Sequence, residues 1–133
     1  MIIDLDKLNA GTWFPMDGGG EVCVRVCAGD DYQAIRKQAV TSKSEIVFDP
    51  KTRQAQKVRE EIVDDLLQSS LLWDFCIVDW KNLLDAKEQP IPCTKEMKLL
   101  LMGRSPRFFT FISGCVEKLR AIEEQEGQAL EKN

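Results

Sequence analysis

The chain of 133 residues carries 18 lysine and arginine side chains against 22 aspartates and glutamates, and 44% of its residues are hydrophobic. This length favours one domain with a single core, and the composition is typical of a globular protein. The net charge of -4, with basic residues spread among acidic ones, argues against nucleic-acid binding. No secretory signal is visible in the sequence. The longest apolar stretch, residues 71–80, is far shorter than the ~20 residues of a membrane helix. We therefore expect a cytoplasmic protein with no membrane partner.

The first part of the chain predicts β structure. A short apolar run at residues 12–14 is followed by a glycine-rich turn at residues 17–20 and by the β-branched segment 21–27, which together are typical of a hairpin. A short helix is predicted over residues 31–40. The turn signal Asp-Pro-Lys-Thr within residues 45–52 indicates a second, small hairpin.

The second part predicts helices. Residues 58–81 contain neither glycine nor proline, and their apolar side chains recur at helical spacing, which predicts one long central helix. After a turn with two prolines, Thr94 is in position to cap a short helix that ends near Met102. Ser105 and a following proline then begin a final, aromatic-rich helix over residues 106–125.

The predicted fold class is therefore α+β, with residues 1–125 forming a single domain. Its first part, about 1–55, contains an N-terminal β-hairpin or small antiparallel sheet, and its second part, 56–125, is a mainly helical bundle. Residues 126–133 are mostly acidic and polar and are predicted to form a disordered tail.

No constellation of catalytic or metal-binding residues is recognisable. The absence of histidine removes the commonest general base and a usual zinc ligand. The five cysteines are scattered without a CxxC pair, and we expect free, buried thiols in a reducing compartment. Asp74 and Asp79 flank an apolar segment, where burial raises a carboxyl pKa, but a position at the rim or in a turn is the simpler interpretation. We therefore predict no enzymatic activity, no cofactor and no metal.

The aromatic cluster near the C-terminus allows two interpretations. Successive residues of a helix turn by ~100°, so Phe108, Phe109 and Phe111 cannot all lie on one stripe. Phe108 and Phe111 fit the face directed to the core. Phe109 then either meets another element or is exposed as an anchor for a partner.

Several segments follow one another in a recognisable order. They are GTWF at 11–14, LWDFCIVDW at 72–80, Asp85, PIPCTKE at 90–96, LLL at 99–101 and FFTFI at 108–112. This order resembles the tail assembly chaperones of long-tailed bacteriophages and prophages, in which a tryptophan closing a long helix precedes an acidic turn, a proline, a capped helix and an aromatic-rich final helix. Gln89 departs from the pattern, because many relatives have glycine before the proline.

The resemblance implies a non-catalytic chaperone that transiently binds the tape-measure protein and recruits tail-tube subunits in the host bacterial cytoplasm. The partner would contact exposed apolar side chains of the hairpin and the last helix, with Trp13, Phe14 and Phe109 as candidate binding residues. We also consider a homo-oligomer of the chain. Two alternatives stay open: a permanent structural component of a tail or head–tail joint, and a small regulatory or inhibitory binding module.

Overall fold

The computed structural model describes residues 1–7 and 10–132. Within them the chain is an α+β protein with two small antiparallel sheets, and it folds as two compact units. Unit 1 comprises Met1–Cys27 with Leu72–Asn133, and unit 2 comprises Ala28–Leu71. In the described residues, no helix combines the length and the apolar content that crossing a membrane requires.

The elements follow in this chain order: a 3-10 turn Leu5–Lys7, strands β1 Thr12–Pro15 and β2 Glu21–Val24, helix α1 Gly29–Ala39, strands β3 Val40–Phe48 and β4 Ala55–Val63, helix α2 Asp65–Cys76, strand β5 Ile77–Lys81, and helices α3 Lys95–Arg104 and α4 Pro106–Lys132. Strands β1, β2 and β5 form one sheet in that order, and β3 and β4 form a second, two-stranded sheet.

The three-stranded sheet of unit 1 confirms the predicted N-terminal hairpin. Its turn depends on Gly18 and Gly19, whose φ angles of 85° and 90° lie in the left-handed region that favours glycine. In the sheet, Phe14 is opposite Val22, and Val22 is in turn opposite Trp80 of β5. Directly opposite residues share a face, so these three side chains lie on the same side of the sheet, where the core is.

Helices α3 and α4 complete the core of unit 1. Thr94 caps α3 as predicted, since its hydroxyl accepts a hydrogen bond from the Met97 N–H at 3.2 Å. The Trp80 indole N–H donates to the carbonyl of Ile91 at 2.7 Å, and its ring meets Phe108 edge-on at 5.9 Å between centroids. The buried cluster consists of Val22, Val24, Ile77, Trp80, Met102, Phe108, Ile112 and Cys115.

Unit 2 contains the second hairpin, which is confirmed but is longer than predicted. Nine residues of β3 pair with nine of β4 without a break, from Val40 opposite Val63 to Phe48 opposite Ala55. In the same unit, Gln68 of α2 donates to the Tyr32 hydroxyl of α1 at 2.9 Å.

The predicted long central helix over 58–81 is wrong. Its first residues belong to β4, only Asp65–Cys76 is helical, and its last residues form β5. The β-branched Val58, Ile62 and Val63 pair with β3, so pairing outside the segment decides its conformation. The helical bundle predicted for 56–125 needs the same correction. This range contains strand β5 and most of strand β4 in addition to its helices.

The C-terminal helix α4 continues to Lys132, beyond the end predicted near residue 125. The disordered tail over 126–133 and the single domain over 1–125 stay predictions, and Asn133 lies outside the described residues.

Candidate protein-binding surface

The β3–β4 hairpin, residues 40–63, is an exposed arm. Every strand residue of the arm is exposed except Val40 and Val63 at its base, which are partly buried. A two-stranded ribbon without a covering layer is marginally stable by itself in water. Both faces and both edges of the arm are therefore accessible for contact with another protein.

Apolar side chains occur on both faces of the arm. Residues alternate between faces along a strand, and residues directly opposite each other share a face. Ile46 and Phe48 lie on one face and are 76% and 61% exposed. Val47, Val58 and Ile62 lie on the other face and are each about half exposed. These exposed apolar side chains make the arm a candidate surface for contact with another protein.

The structure places two of the predicted binding residues, Trp13 and Phe14, on opposite faces of the three-stranded sheet. They are neighbours in β1, so their side chains point in opposite directions. Phe14 packs partly buried against the core of unit 1. Trp13 is 40% exposed, and the ammonium of Lys81 lies 4.4 Å from its ring centroid. The two residues do not form one surface.

Phe109, the third predicted binding residue, is partly covered within unit 1. Its ring meets Trp73 edge-on, with 5.6 Å between centroids and an interplanar angle of 75°. The side chain is still 42% exposed. No ring contact between Phe109 and Trp13 or Phe14 occurs in the part of the chain that the structure describes.

Unit 1 also contains a groove with a volume of about 640 Å³. Its lining is mostly apolar and includes Leu83, Leu101 and Phe111. Asp17 and Arg107 line it as well and form an ion pair of 3.2 Å in which both side chains are largely exposed. This lining has the chemistry of an apolar contact site with a polar rim.

The two aspartates singled out in the sequence occupy separate environments. Asp74 accepts hydrogen bonds from the ammonium of Lys98, whose Nζ is 3.3 Å from Oδ1. Asp79 accepts from the backbone N–H of Trp80 at 2.8 Å. Both carboxylates therefore have structural partners in the fold.

The buried thiols are held in their protonated form at neutral pH. Burial raises the pKa of the Cys76 thiol to about 11 and raises the pKa of Cys23, Cys93 and Cys115 as well. A thiolate is the nucleophile and the metal ligand, so these side chains are poorly suited to either role. Within residues 1–7 and 10–132, no group of three or more cysteine, aspartate and glutamate side chains is placed to hold a metal ion.

Sequence reasoning missed the arm as a candidate surface. The available signal was the turn at 49–52 between two segments rich in β-branched residues, but the second segment was assigned to a helix. No family model, curated protein or solved structure matches the chain. The candidate surface therefore rests on the geometry of the arm.

Proposed function

We propose that this chain is a non-catalytic tail assembly chaperone of a long-tailed phage or prophage. In this role it transiently binds the tape-measure protein and recruits tail-tube subunits in the host cytoplasm. The observation that carries the proposal is the arm, because a hairpin with apolar side chains exposed on both faces is suited to protein contact.

The chemistry of the arm fits a long helical client. A tape-measure protein presents apolar stripes along its helices, and these stripes must be shielded from water until the tail tube encloses them. Ile46 and Phe48 on one face, and Val58 and Ile62 on the other, offer the complementary apolar contact. Such contact is screened by salt much less than charge pairing is, so we expect micromolar binding that tolerates about 0.5 M NaCl.

The family resemblance supports the same proposal, with a departure at Trp80 in addition to the one at Gln89. The segments that carry it supply core residues of unit 1, among them Ile77, Trp80, Phe108 and Ile112. In the family pattern the tryptophan closes a long helix, whereas Trp80 of this chain lies in strand β5. The resemblance therefore concerns residue order more than the local structure around Trp80.

A pull-down with the tape-measure fragment encoded beside this chain tests the proposal. We expect the full chain to retain the fragment, and the double variant Ile46→Ser with Phe48→Ser to lose at least tenfold of the retention. Leu66→Ser is the matched control, since Leu66 is an exposed apolar residue outside the arm and its loss should leave retention unchanged.

Two results would contradict the proposal. One is that the wild-type chain retains no tape-measure fragment at any salt concentration. The other is that the chain is a stoichiometric component of purified phage particles, which would favour the permanent structural component instead.

A further inference from the structure

Among the residues that the structure describes, no strand pairs with the backbone groups on the outer edge of β3. The Asp49 N–H donates to Gln54 at 3.0 Å at one end of the hairpin, and the Asp64 N–H donates to Ala39 at 2.9 Å at the other. Bonded and non-bonded pairs alternate in an antiparallel ladder, so odd-numbered residues of β3 bond to β4. The even-numbered residues direct their N–H and C=O groups away from β4: Val40, Ser42, Ser44, Ile46 and Phe48.

We propose that this edge binds the same edge of a second copy of the chain, in an antiparallel pair with its two-fold axis at Ser44. In this register Ser44 is opposite Ser44, and Ser42 of one copy is opposite Ile46 of the other. Val40 is opposite Phe48 at both ends. All the outward-directed backbone groups then find partners, because every even-numbered residue meets another even-numbered residue.

Charge complementarity selects this register. Strand β3 carries only two charged residues, Lys43 and Glu45, one on each side of Ser44. With the axis at Ser44, each Lys43 lies directly opposite a Glu45. Moving the axis by one residue in either direction places Lys43 opposite Lys43 or Glu45 opposite Glu45, and like charges directly opposite destabilise a strand pair.

The edge of β4 has no central register that is free of like-charge pairs. A two-fold axis at its centre, Arg59, places two arginines directly opposite each other. An axis at Val58 places Lys57 opposite Arg59, and an axis at Glu60 places two glutamates together. Each central register of β4 therefore contains a like-charge pair, although the axis at Arg59 also places Lys57 opposite Glu61 and the axis at Glu60 also places Arg59 opposite Glu61. The register of β3 with its axis at Ser44 contains attractive charge pairs without a repulsive one, so β3 is the edge better suited to self-association.

Pairing at β3 also changes the arm itself. The two hairpins become one four-stranded antiparallel sheet with the order β4-β3-β3-β4, which exceeds the two strands that are marginal alone. Both faces of the arm stay available to other proteins. The inference is independent of the chaperone function, because it needs no component other than the chain.

A charge swap tests the pairing on the full chain. Sedimentation equilibrium should show a wild-type dimer, about twice the 15.1 kDa of the chain, that dissociates on dilution. Lys43→Glu and Glu45→Lys should each weaken the dimer by about tenfold, since each turns two attractive pairs into repulsive ones. The double variant Lys43→Glu with Glu45→Lys restores opposite charges and should return the dissociation constant to within about twofold of the wild type.

The double variant separates loss of pairing from loss of folding. A monomeric wild type at all concentrations overturns the proposal. So does a double variant that stays as weak as the single variants. A Glu61→Lys variant that weakens the dimer as much as they do also overturns it, since Glu61 lies on β4 opposite Ser42 and not opposite Lys43 or Glu45.

Discussion

The ion pair between Lys98 and Asp74 allows a test of how burial determines the contribution of a charged side chain to stability. The Lys98 side chain is 11% exposed, and its ammonium donates to both Oδ1 and the backbone carbonyl of Asp74. The Asp74 side chain is 34% exposed, so water reaches the carboxylate more readily than the ammonium. The two truncations should therefore have unequal effects.

Asp74→Ala should destabilise the protein more than Lys98→Met. The first change leaves a buried ammonium with only a carbonyl acceptor, and we expect it to lower the free energy of unfolding by about 2–3 kcal/mol. The second change keeps the apolar stem and removes the charge, while the remaining carboxylate is solvated, so we expect a loss of about 1 kcal/mol or less. The double variant should be more stable than Asp74→Ala alone.

Urea denaturation at pH 7 measures these differences, and the chain contains its own control. Asp17 and Arg107 form a pair of nearly the same length, 3.2 Å, but both side chains are more than 80% exposed. Asp17→Ala should leave the unfolding midpoint unchanged, because exposed pairs contribute little. Equal losses for Asp74→Ala and Lys98→Met, or a loss for Asp17→Ala as large as that for Asp74→Ala, would refute the reasoning.

Three further predictions concern the core, the glycines and pH. Ile112 is fully buried, so Ile112→Ala should lower the free energy of unfolding by about 3–4 kcal/mol, and a change below about 1 kcal/mol would contradict the packing. Gly20→Ala should destabilise the protein, because the added Cβ would lie 2.9 Å from the Asn82 carbonyl oxygen. Gly114→Ala in α4 should instead stabilise the protein by up to ~1 kcal/mol, because its added Cβ meets open space. Thermal unfolding of both variants tests these opposite effects. Burial raises the pKa of the Cys76 thiol to about 11. The contribution of the buried, protonated thiol to the free energy of unfolding is therefore complete below the ordinary thiol pKa and is lost as the pH rises toward 11. The stability difference between wild type and Cys76→Ala should shrink over that range, and a difference that grows would be inconsistent with a buried thiol.

Local signals in the sequence determined several features of this fold. Gly18 and Gly19 supply the left-handed turn of the first hairpin, and Thr94 supplies the cap of α3. These predictions succeeded because turn and cap conformations depend on side chains and backbone angles within a few residues. The assignment to the α+β class followed from them.

Only the tertiary structure decided the conformation of residues 58–81 and the exposure of the arm. Ile77–Lys81 is a strand because its residues pair with β2, more than fifty positions earlier in the chain, and its apolar run is as compatible with a buried helix as with a buried strand. In the same way, Val58 and Ile62 carry a spacing that suits a helix, but pairing with β3 places them in a ribbon. Whether an apolar side chain is covered depends on which elements pack against it, and strand pairing across long separations is not encoded in local periodicity.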